Sequence, residues 1–319
     1  MDVSGIAVAK KKGTHQLPLW TKVRKEFSRN KYLYLMLLPV VVYYAVFHYA
    51  PMYGLVIAFK DFYPMRGIAG SPWVGLKHFA DFFSSYYSWR LVRNVLAINF
   101  YDLLFGFPAP IILALLLNEI KNQRFKRTVQ TVTYLPHFVS VVVIVGLMMD
   151  FFSRDGVINL ILEGLGFEAI PFFNQPEFFR ALYVGSGIWQ AVGWGSIIYI
   201  ASLSSIDPEL YEAAACDGAG RWAQMRHITL PGIAPTIIIM FIMRMGRMLT
   251  VGFEKIILMY NPLTYETADV ISTFVYRRGL LMADYSYSTA VGLVNSLINF
   301  IILVCVNKIS RRVGETSLW

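Results

Sequence analysis

The sequence predicts an all-α protein that crosses a membrane with six helices. Of its 319 residues, 56% are hydrophobic and only 15% are charged, and the mean hydropathy is +0.51. Soluble domains carry fewer apolar and more charged residues than this. Six apolar runs reach or nearly reach the ~20 residues that a helix needs to cross a hydrocarbon core about 30 Å thick. The loops between these runs alternate between rich and poor in basic residues, as topology in a membrane requires.

The six predicted spans follow one another with charged segments between them. The first and the fifth are long enough to tilt in the bilayer or to extend beyond it. Pro51 marks a potential break in the first span, and Pro108 with Pro110 predicts a kink in the second. The spans cover residues 32–59, 92–118, 129–152, 178–203, 233–260 and 289–306.

The distribution of lysine and arginine predicts the orientation of these spans. Eight basic residues precede the first span, and the segments after the second, fourth and sixth spans add nine more, whereas the opposite side has nine over much longer loops. Because basic loops stay in the cytoplasm, both termini are predicted to be cytoplasmic. The sequence is thus divided into a basic tail (1–31), a membrane domain (32–308) and a C-terminal tail (309–319). The excess of basic residues on the predicted cytoplasmic side accounts for much of the net charge of +9, so no nucleic-acid partner is expected.

Sequence motifs for catalysis, metal binding and nucleotide binding are absent. The five histidines and two cysteines form no H-E-x-x-H or C-x-x-C pattern, and there is no G-x-S-x-G sequence. A P-loop of the form G-x-x-x-x-G-K-[ST] is also missing. We therefore expect no catalytic residue, no metal and no cofactor on this chain. Any energy source other than an ion gradient must come from another subunit.

A polar, alanine-rich loop between the fourth and fifth spans, at about residues 204–232, has clear helix signals. Asp207 followed by Pro208 is typical of a helix N-terminus, and Gly218 suits the left-handed residue that ends a helix. A second short helix is predicted from Arg221 to about Ile228, stopped before Pro231. The loop is thus predicted to be an ordered helix-turn-helix on the cytoplasmic side.

The residues of this loop resemble the EAA loop of membrane subunits in ABC importers. The matching positions, with the spacing of that motif, are Glu212, Ala213, Ala214, Gly218, Ile228, Leu230 and Pro231. Further resemblance extends from about residue 30 to the end of the chain, including TYLPHFVSVVVI from Thr133, VGFEKIILMYNP from Val251 and the terminal ETSLW. These segments resemble permeases of carbohydrate type I importers, in the branch of lipoprotein-associated and alginate-uptake systems.

The resemblance implies the type I importer permease fold, with residues 32–308 as its permease domain, in a bacterial cell (inner or plasma) membrane. It also implies a second related permease, two cytoplasmic ATPase subunits that bind the EAA loops and use ATP with Mg²⁺, and an extracytoplasmic sugar-binding protein. Transport would be inward, by alternating access. The cargo would be an oligosaccharide or a polysaccharide fragment, and the sequence leaves open whether it is neutral or acidic.

Charged residues within the predicted fifth span are candidates for the substrate pathway. Arg244 would lie near the bilayer midplane, and Arg247, Glu254 and Lys255 would continue the same helical stripe. Intramembrane charges face a protein interior or water, so these residues would line the translocation path. An internal ion-pair set, joining either arginine to Glu254 or to Asp102 on the second span, is the alternative.

Three aromatic residues of the predicted fourth span, Trp189, Trp194 and Tyr199, are further candidates because sugars stack on aromatic rings. Packing or contact with the membrane interface is the alternative role for these rings. A secondary, ion-coupled transporter or a channel subunit without an ATPase is the alternative function. Such a protein would also use intramembrane charges, but it would not need an ordered docking loop.

Overall fold

The structure, a computed structural model, describes residues 27, 29–248 and 250–314, without the side chains of residues 310 and 312–314. Within these ranges the regular structure is helical, and the only strand-like pairing is one isolated bridge between Lys60 and Trp73. The all-α prediction is therefore confirmed. Most of the predicted basic tail and the end of the C-terminal tail lie outside the described residues.

The chain divides into two compact units, Met1–Leu55 and Val56–Trp319. In the first unit, helix α1 (Lys31–Tyr44) continues through a π-helical turn (Ala45–Tyr49) into a short helix (Ala50–Met52). Pro51 lies in the first turn of that short helix, where its missing N–H is tolerated. The predicted break at Pro51 is wrong, because the preceding π turn changes the hydrogen-bond ladder before the proline is reached.

The second unit holds the remaining named helices. Wide π-helical turns follow three of them, at Asp102–Gly106, Met225–Thr229 and Arg277–Leu281. The named helices are α2 (Lys77–Ser84), α3 (Tyr86–Tyr101), α4 (Pro108–Glu119), α5 (Gln123–Tyr134), α6 (Val141–Phe151), α7 (Val157–Gly164), α8 (Pro176–Leu203), α9 (Pro208–Cys216), α10 (Arg221–Gln224), α11 (Leu230–Met245), α12 (Phe253–Met259), α13 (Ile271–Tyr276) and α14 (Tyr285–Gly314).

Four helical stretches of the described chain are long and apolar enough to cross a membrane: Lys31–Phe59, Tyr86–Glu119, Arg221–Met245 and Tyr285–Ile309. A fifth candidate is the bent pair Gln123–Phe138 and Val141–Phe151. Helix α8 has 28 residues, which is enough to cross a bilayer. It is not among the apolar candidates because glycine, serine and glutamine lower its hydropathy. Six spans thus stay a prediction, while four or five candidates are observed.

The predicted third span, 129–152, is not one continuous helix. Its two halves meet at an angle of 102°. The break lies at a short 3-10 helix (Leu135–Phe138) that contains Pro136, and Ser140 caps the second half by accepting a hydrogen bond from the Val143 amide at 3.4 Å. Proline and a helix-capping serine close together end one helix and start the next.

The predicted fifth span, 233–260, has the wrong bounds. Its helical stretch begins at Arg221 and ends at Met245, and α12 is a separate helix. Gly246 follows α11 at a close approach to α14, because a Cβ at this position would lie 2.6 Å from Leu303. Gly252 precedes α12, and glycine has low helix propensity at both breaks. The predicted continuous stripe from Arg244 through Arg247 to Glu254 and Lys255 therefore does not exist.

Helix α8 connects the two hydrophobic clusters of the second unit. The larger cluster includes Leu91 of α3, Ile144 of α6 and Ile256 of α12. The smaller one joins α4, α8 and α11 through Ala114, Tyr199 and Ile233. Because α8 contributes to both, it fixes the positions of the helices that surround the cavity described below.

A fully buried carboxylate, Asp269, holds the segment between α12 and α14 against α3. It accepts hydrogen bonds from Arg277 at 2.9 and 2.6 Å, from Arg90 at 3.3 Å and from the Thr273 hydroxyl at 2.8 Å. Burial lowers the pKa of Arg277, but the hydrogen bonds and charge of Asp269 outweigh it and the pKa is raised. The Arg277 guanidinium therefore stays charged at physiological pH.

Candidate functional site

The EAA-like loop forms the helix-turn that its sequence predicts. Asp207 Oδ1 accepts a hydrogen bond from the Glu209 amide at 3.0 Å, and Pro208 is the first residue of α9. After the helix, Gly218 has a φ of +79°, a conformation that glycine adopts at low cost. The amides of Gly218 and Ala219 bond to the carbonyls of Ala215 and Ala214 at 3.1 and 2.9 Å, which is a Schellman cap.

Helix α9 is exposed, and side-chain contacts hold both arms of the loop. None of its nine residues is buried, and Glu212 and Ala213 are exposed. The Tyr211 hydroxyl lies 3.1 Å from the hydroxyl of Thr229. Arg221 pairs with Glu119 at the end of α4, at 3.5 Å. The loop therefore presents an ordered, narrow helix to solvent.

The second arm of the loop differs from its prediction, because it does not stop before Pro231. Helix α10 continues through the π turn Met225–Thr229 into α11, and the Leu230 amide bonds to the Met225 carbonyl five residues earlier. This wider turn lets the chain pass Pro231, which lacks an N–H, without ending the helix. Ile228, Leu230 and Pro231 thus lie where the loop enters the long helix.

The base of the loop is closed by a glycine. A Cβ on Gly232 would lie 2.7 Å from Ile206, so the start and the end of the loop pack directly against each other. Trp222, in the second arm, is 80% exposed. Sequence reasoning did not single out Trp222, although an exposed tryptophan in a polar loop is typical of a binding surface.

A cavity of about 560 Å³ lies between α8, the Asp102–Gly106 turn, the end of α11 and the segment 250–255. Its charged lining consists of three cations and one carboxylate, and polar side chains add hydrogen-bonding groups. The charged and polar lining residues include Asp102, Gln190, Tyr199, Arg244, Arg247 and Lys255. Of the predicted pathway residues, the structure thus brings four to one cavity: Tyr199, Arg244, Arg247 and Lys255.

Arg244 forms an ion pair with Asp102, which is one of the two alternatives for its role. Gly106 makes room for this pair, because a Cβ there would overlap the Asp102 carboxylate and approach the Arg244 guanidinium to 3.6 Å. The pair lies in the cavity wall, so pairing and lining are not exclusive. Among the described residues, neither Arg247 nor Glu254 has an oppositely charged group within 4.0 Å.

The other predicted pathway residues do not reach the cavity. Trp189 and Trp194 are 52% and 46% exposed and do not line it, whereas Tyr199 is 3% exposed and does. Trp194 stacks on His137, with ring centroids 4.6 Å apart and an interplanar angle of 2°. Glu254 is exposed and is not part of the lining.

Lys255 also lines the cavity, but not in the way that the predicted helical stripe implied. Its side chain is buried, and its ammonium donates to the Tyr183 carbonyl at 2.8 Å and lies 4.8 Å from the Tyr183 ring centroid. The sequence placed Lys255 on a continuous helix with Arg244. Its position in the cavity follows instead from the break at Gly246 and Gly252, which no helical periodicity could indicate.

Two curated relatives are similar over nearly the whole chain. Protein LplB of Bacillus subtilis is 46% identical over 92% of this chain and 92% of its own length. The polygalacturonan/rhamnogalacturonan transport system permease protein YteP, also of Bacillus subtilis, is 44% identical over 91% of each chain.

Two solved structures match the fold with a TM-score of 0.86 and 44% sequence identity. One is a bacterial ABC transporter involved in the import of the acidic polysaccharide alginate, and the match covers 92% of this chain and 99% of that one. The other is a bacterial alginate ABC transporter in complex with an alginate pentasaccharide-bound periplasmic protein, with 94% and 99% covered.

The resemblance to importer permeases is thus confirmed by sequence and by fold. Residues 106–315, from the Asp102–Gly106 turn through the EAA-like loop into α14, match the profile of one family. The chain belongs to this family, the binding-protein-dependent transport system inner membrane components.

Proposed function

We propose that this chain is the permease subunit of an ATP-driven importer that moves an oligosaccharide or polysaccharide fragment inward by alternating access. The observation that carries the proposal is the ordered EAA-like loop, capped at Gly218, on a chain whose sequence contains no P-loop. An exposed, rigid helix is suited to enter a groove on a partner. The same helical stretch that leaves this loop reaches the charged cavity at Arg244.

The partners follow from the family and from the loop. A second related permease would complete the translocation path, and two cytoplasmic ATPases would bind the loops and hold ATP with Mg²⁺. This chain itself would bind no cofactor and no metal. A sugar-binding protein on the outer side would deliver the cargo, which the complex of the alginate transporter with a sugar-loaded periplasmic protein supports.

The saccharide class is supported by the relatives. YteP is named for polygalacturonan and rhamnogalacturonan, and the solved importer carries alginate. In this chain Arg244, Arg247 and Tyr199 would form part of the pathway, since all three line the cavity. Trp189, Trp194 and Glu254 would contribute only if the second permease extends the path to them.

The proposed location is the bacterial cell membrane, with residues 1–31, 204–232 and 309–319 in the cytoplasm. The segregation of basic residues along the sequence supports this orientation. An ion-coupled transporter or a channel is not favoured, because neither needs an ordered docking loop. Members of this family serve transport systems that depend on a binding protein.

Substitutions in the loop test the proposal. Glu212→Lys reverses a charge on the exposed face of α9, and Gly218→Asp adds a side chain at a φ of +79°. Both variants should reach the membrane at normal levels but lose co-purification with the ATPases. ATP-dependent sugar uptake should fall about tenfold or more, as for a central interface residue.

Gly220→Ala is the matched control, because Gly220 has a φ of −70° and a Cβ added to it would have no other residue within 4 Å. It should leave assembly and uptake unchanged. Normal assembly and uptake in both loop variants would remove the docking role. Sugar uptake into vesicles that contain the two permeases and no ATPase would instead favour the ion-coupled alternative.

A further inference from the structure

The cavity has an excess of positive charge. Arg244, Arg247 and Lys255 line it together with a single carboxylate, Asp102, so its described charged side chains sum to a net charge of +2. Asp102 is already engaged by Arg244. Two cations, Arg247 and Lys255, are therefore left without an acidic partner in this wall. Low-dielectric surroundings strengthen the attraction of such groups for an anion.

Lys255 is the buried member of this pair. Its side chain is only 8% exposed, and no carboxylate of the described residues lies within 4.0 Å of its ammonium. One of its three N–H groups donates to the Tyr183 carbonyl. Two donors and the whole positive charge thus remain available. Burying an ammonium without a counter-charge is unfavourable, so the site favours an anion supplied from outside the chain.

A glycine of α8 lies beside the ammonium. Gly187 of α8 lines the same cavity, and a Cβ on it would lie 3.5 Å from Lys255 Nζ, in contact with the head group. Glycine at this position leaves the space beside the head group unfilled, and Lys255 itself lines the cavity. The Tyr183 ring, 4.8 Å away, adds a face that stabilises the cation without neutralising it.

We propose that Lys255 is the head of a carboxylate-binding subsite and that the imported saccharide is acidic, with a uronate carboxylate accepting hydrogen bonds from this ammonium. The inference rests on the proposed import function and adds its substrate class. A lysine is a compact point charge, so it would recognise the carboxylate of a sugar without fixing the plane of the group. Arg247, in the same cavity, is placed to receive a neighbouring acidic residue of the oligosaccharide.

The test uses the complete importer, with its second permease, ATPases and binding protein, reconstituted in proteoliposomes. Uptake of trigalacturonate is compared with uptake of its fully methyl-esterified form, which differs by one methyl group on each carboxyl and has no charge. Each variant is compared with the unsubstituted importer on the same ligand, so the preference of the binding protein cancels. For Lys255→Gln, the KM for the acid should rise about tenfold or more, and that for the ester should change less than about twofold.

Lys60→Gln is the matched control. Lys60 also donates its ammonium to a main-chain carbonyl, that of Ile68 at 2.7 Å, but it does not line the cavity. This variant should leave both KM values unchanged. Lys255→Arg keeps the positive charge and should restore uptake of the acid to within about threefold, since charge and not exact length carries the attraction.

Each result separates the subsite from the import function. Equal loss of acid and ester uptake in Lys255→Gln would show that Lys255 only holds α12 against α8, and it would overturn the subsite. Uptake of the ester but not of the acid by the unsubstituted importer would also overturn the subsite. If the ester is not carried, equal loss of acid uptake in the Gln and Arg variants overturns the subsite. Failure of the unsubstituted importer to take up any saccharide would contradict the proposed function instead.

Discussion

At the residue scale, two largely buried arginines depend on one carboxylate, that of Asp269, for their counter-charge. Its side chain is completely buried, while those of Arg90 and Arg277 are 18% and 19% exposed. Removing the carboxylate charge would leave two guanidinium groups largely buried and without a counter-charge. Breaking a buried pair in this way typically costs about 3–5 kcal/mol.

Asp269→Asn should therefore lower the free energy of unfolding by about 3 kcal/mol or more, measured as thermal unfolding of the purified protein in detergent. Asp284→Asn is the control, because Asp284 pairs with Arg278 at 3.2 Å and its side chain is 35% exposed. An exposed pair contributes about 0–1 kcal/mol. Similar melting temperatures for the two variants would contradict a structural role for the buried network.

The sequence predicted individual site residues only in part. Asp102 was foreseen as one of two acidic partners for Arg244, and the structure selects it. Asp102 is the first residue of the π turn Asp102–Gly106, a local change of helix type that the sequence did not predict. Trp189 and Trp194 were candidates by residue type alone. Their exposure depends on which face of α8 meets α4 and α5, and an apolarity pattern on a helix with little amphipathicity does not define that face.

At the element scale, α8 approaches α5 more closely than any side chain would permit. A Cβ on Gly193 would overlap the carbonyl of Thr133 and lie 2.9 Å from the amide of Tyr134. These are backbone atoms, so the clash cannot be relieved by changing a rotamer. Glycine at residue 193 thus sets the separation of two helices, and with it the position of the bent segment that follows α5.

Gly193→Ala should destabilise the protein by about 1–3 kcal/mol, because the helices must move apart to admit one methyl group. Gly185→Ala, on the same helix, has nothing within 4 Å of the added Cβ. It should be neutral or should stabilise the protein by up to about 1 kcal/mol through higher helix propensity. Unfolding of both variants in detergent gives the comparison. A neutral Gly193→Ala would show that α5 and α8 can separate at low cost.

Sequence signals predicted helix ends correctly where the end depends only on neighbouring residues. The cap at Asp207 and the glycine end at Gly218 involve only neighbouring residues, and both are confirmed. The predicted end before Pro231 was wrong, and the end at Met245 was missed because the span was predicted to continue to residue 260. A preceding π turn accommodates Pro231, and the end at Met245 coincides with the approach of Gly246 to Leu303, a residue far along the chain. Such a tertiary contact leaves no local pattern.

At the scale of the whole molecule, the number of spans was harder to predict than the fold class. Apolar composition alone indicates membrane helices, and the match to the alginate importer at a TM-score of 0.86 agrees with an importer permease. Helix α8, however, carries many small and polar residues because it packs against several other helices. A helix surrounded by protein need not be as apolar as one surrounded by lipid.

The predicted orientation can be tested by labelling one of the two cysteines of the chain. Cys216, at the end of α9, is exposed and should react with a membrane-impermeant maleimide only after the membrane is permeabilised. The measurement uses a Cys305→Ser background, so that Cys216 is the single thiol. Met65→Cys, in a background without both natural cysteines, is the reference for the outer side because Met65 is 98% exposed. It should be labelled in intact cells, and the reverse pattern would invert the topology.

The uninterrupted helical stretch Arg221–Met245 also has a mechanical consequence. At 1.5 Å per residue it is about 36 Å long, so a tilt of about 5° around its middle would move its two ends by about 1.6 Å in opposite directions. One end is the second arm of the exposed loop, and the other carries the guanidinium that holds Asp102. A hydrogen bond tolerates only about 0.5 Å of stretch. A tilt of this size, started at the exposed loop, would therefore be sufficient to break or form the Arg244–Asp102 ion pair at the other end.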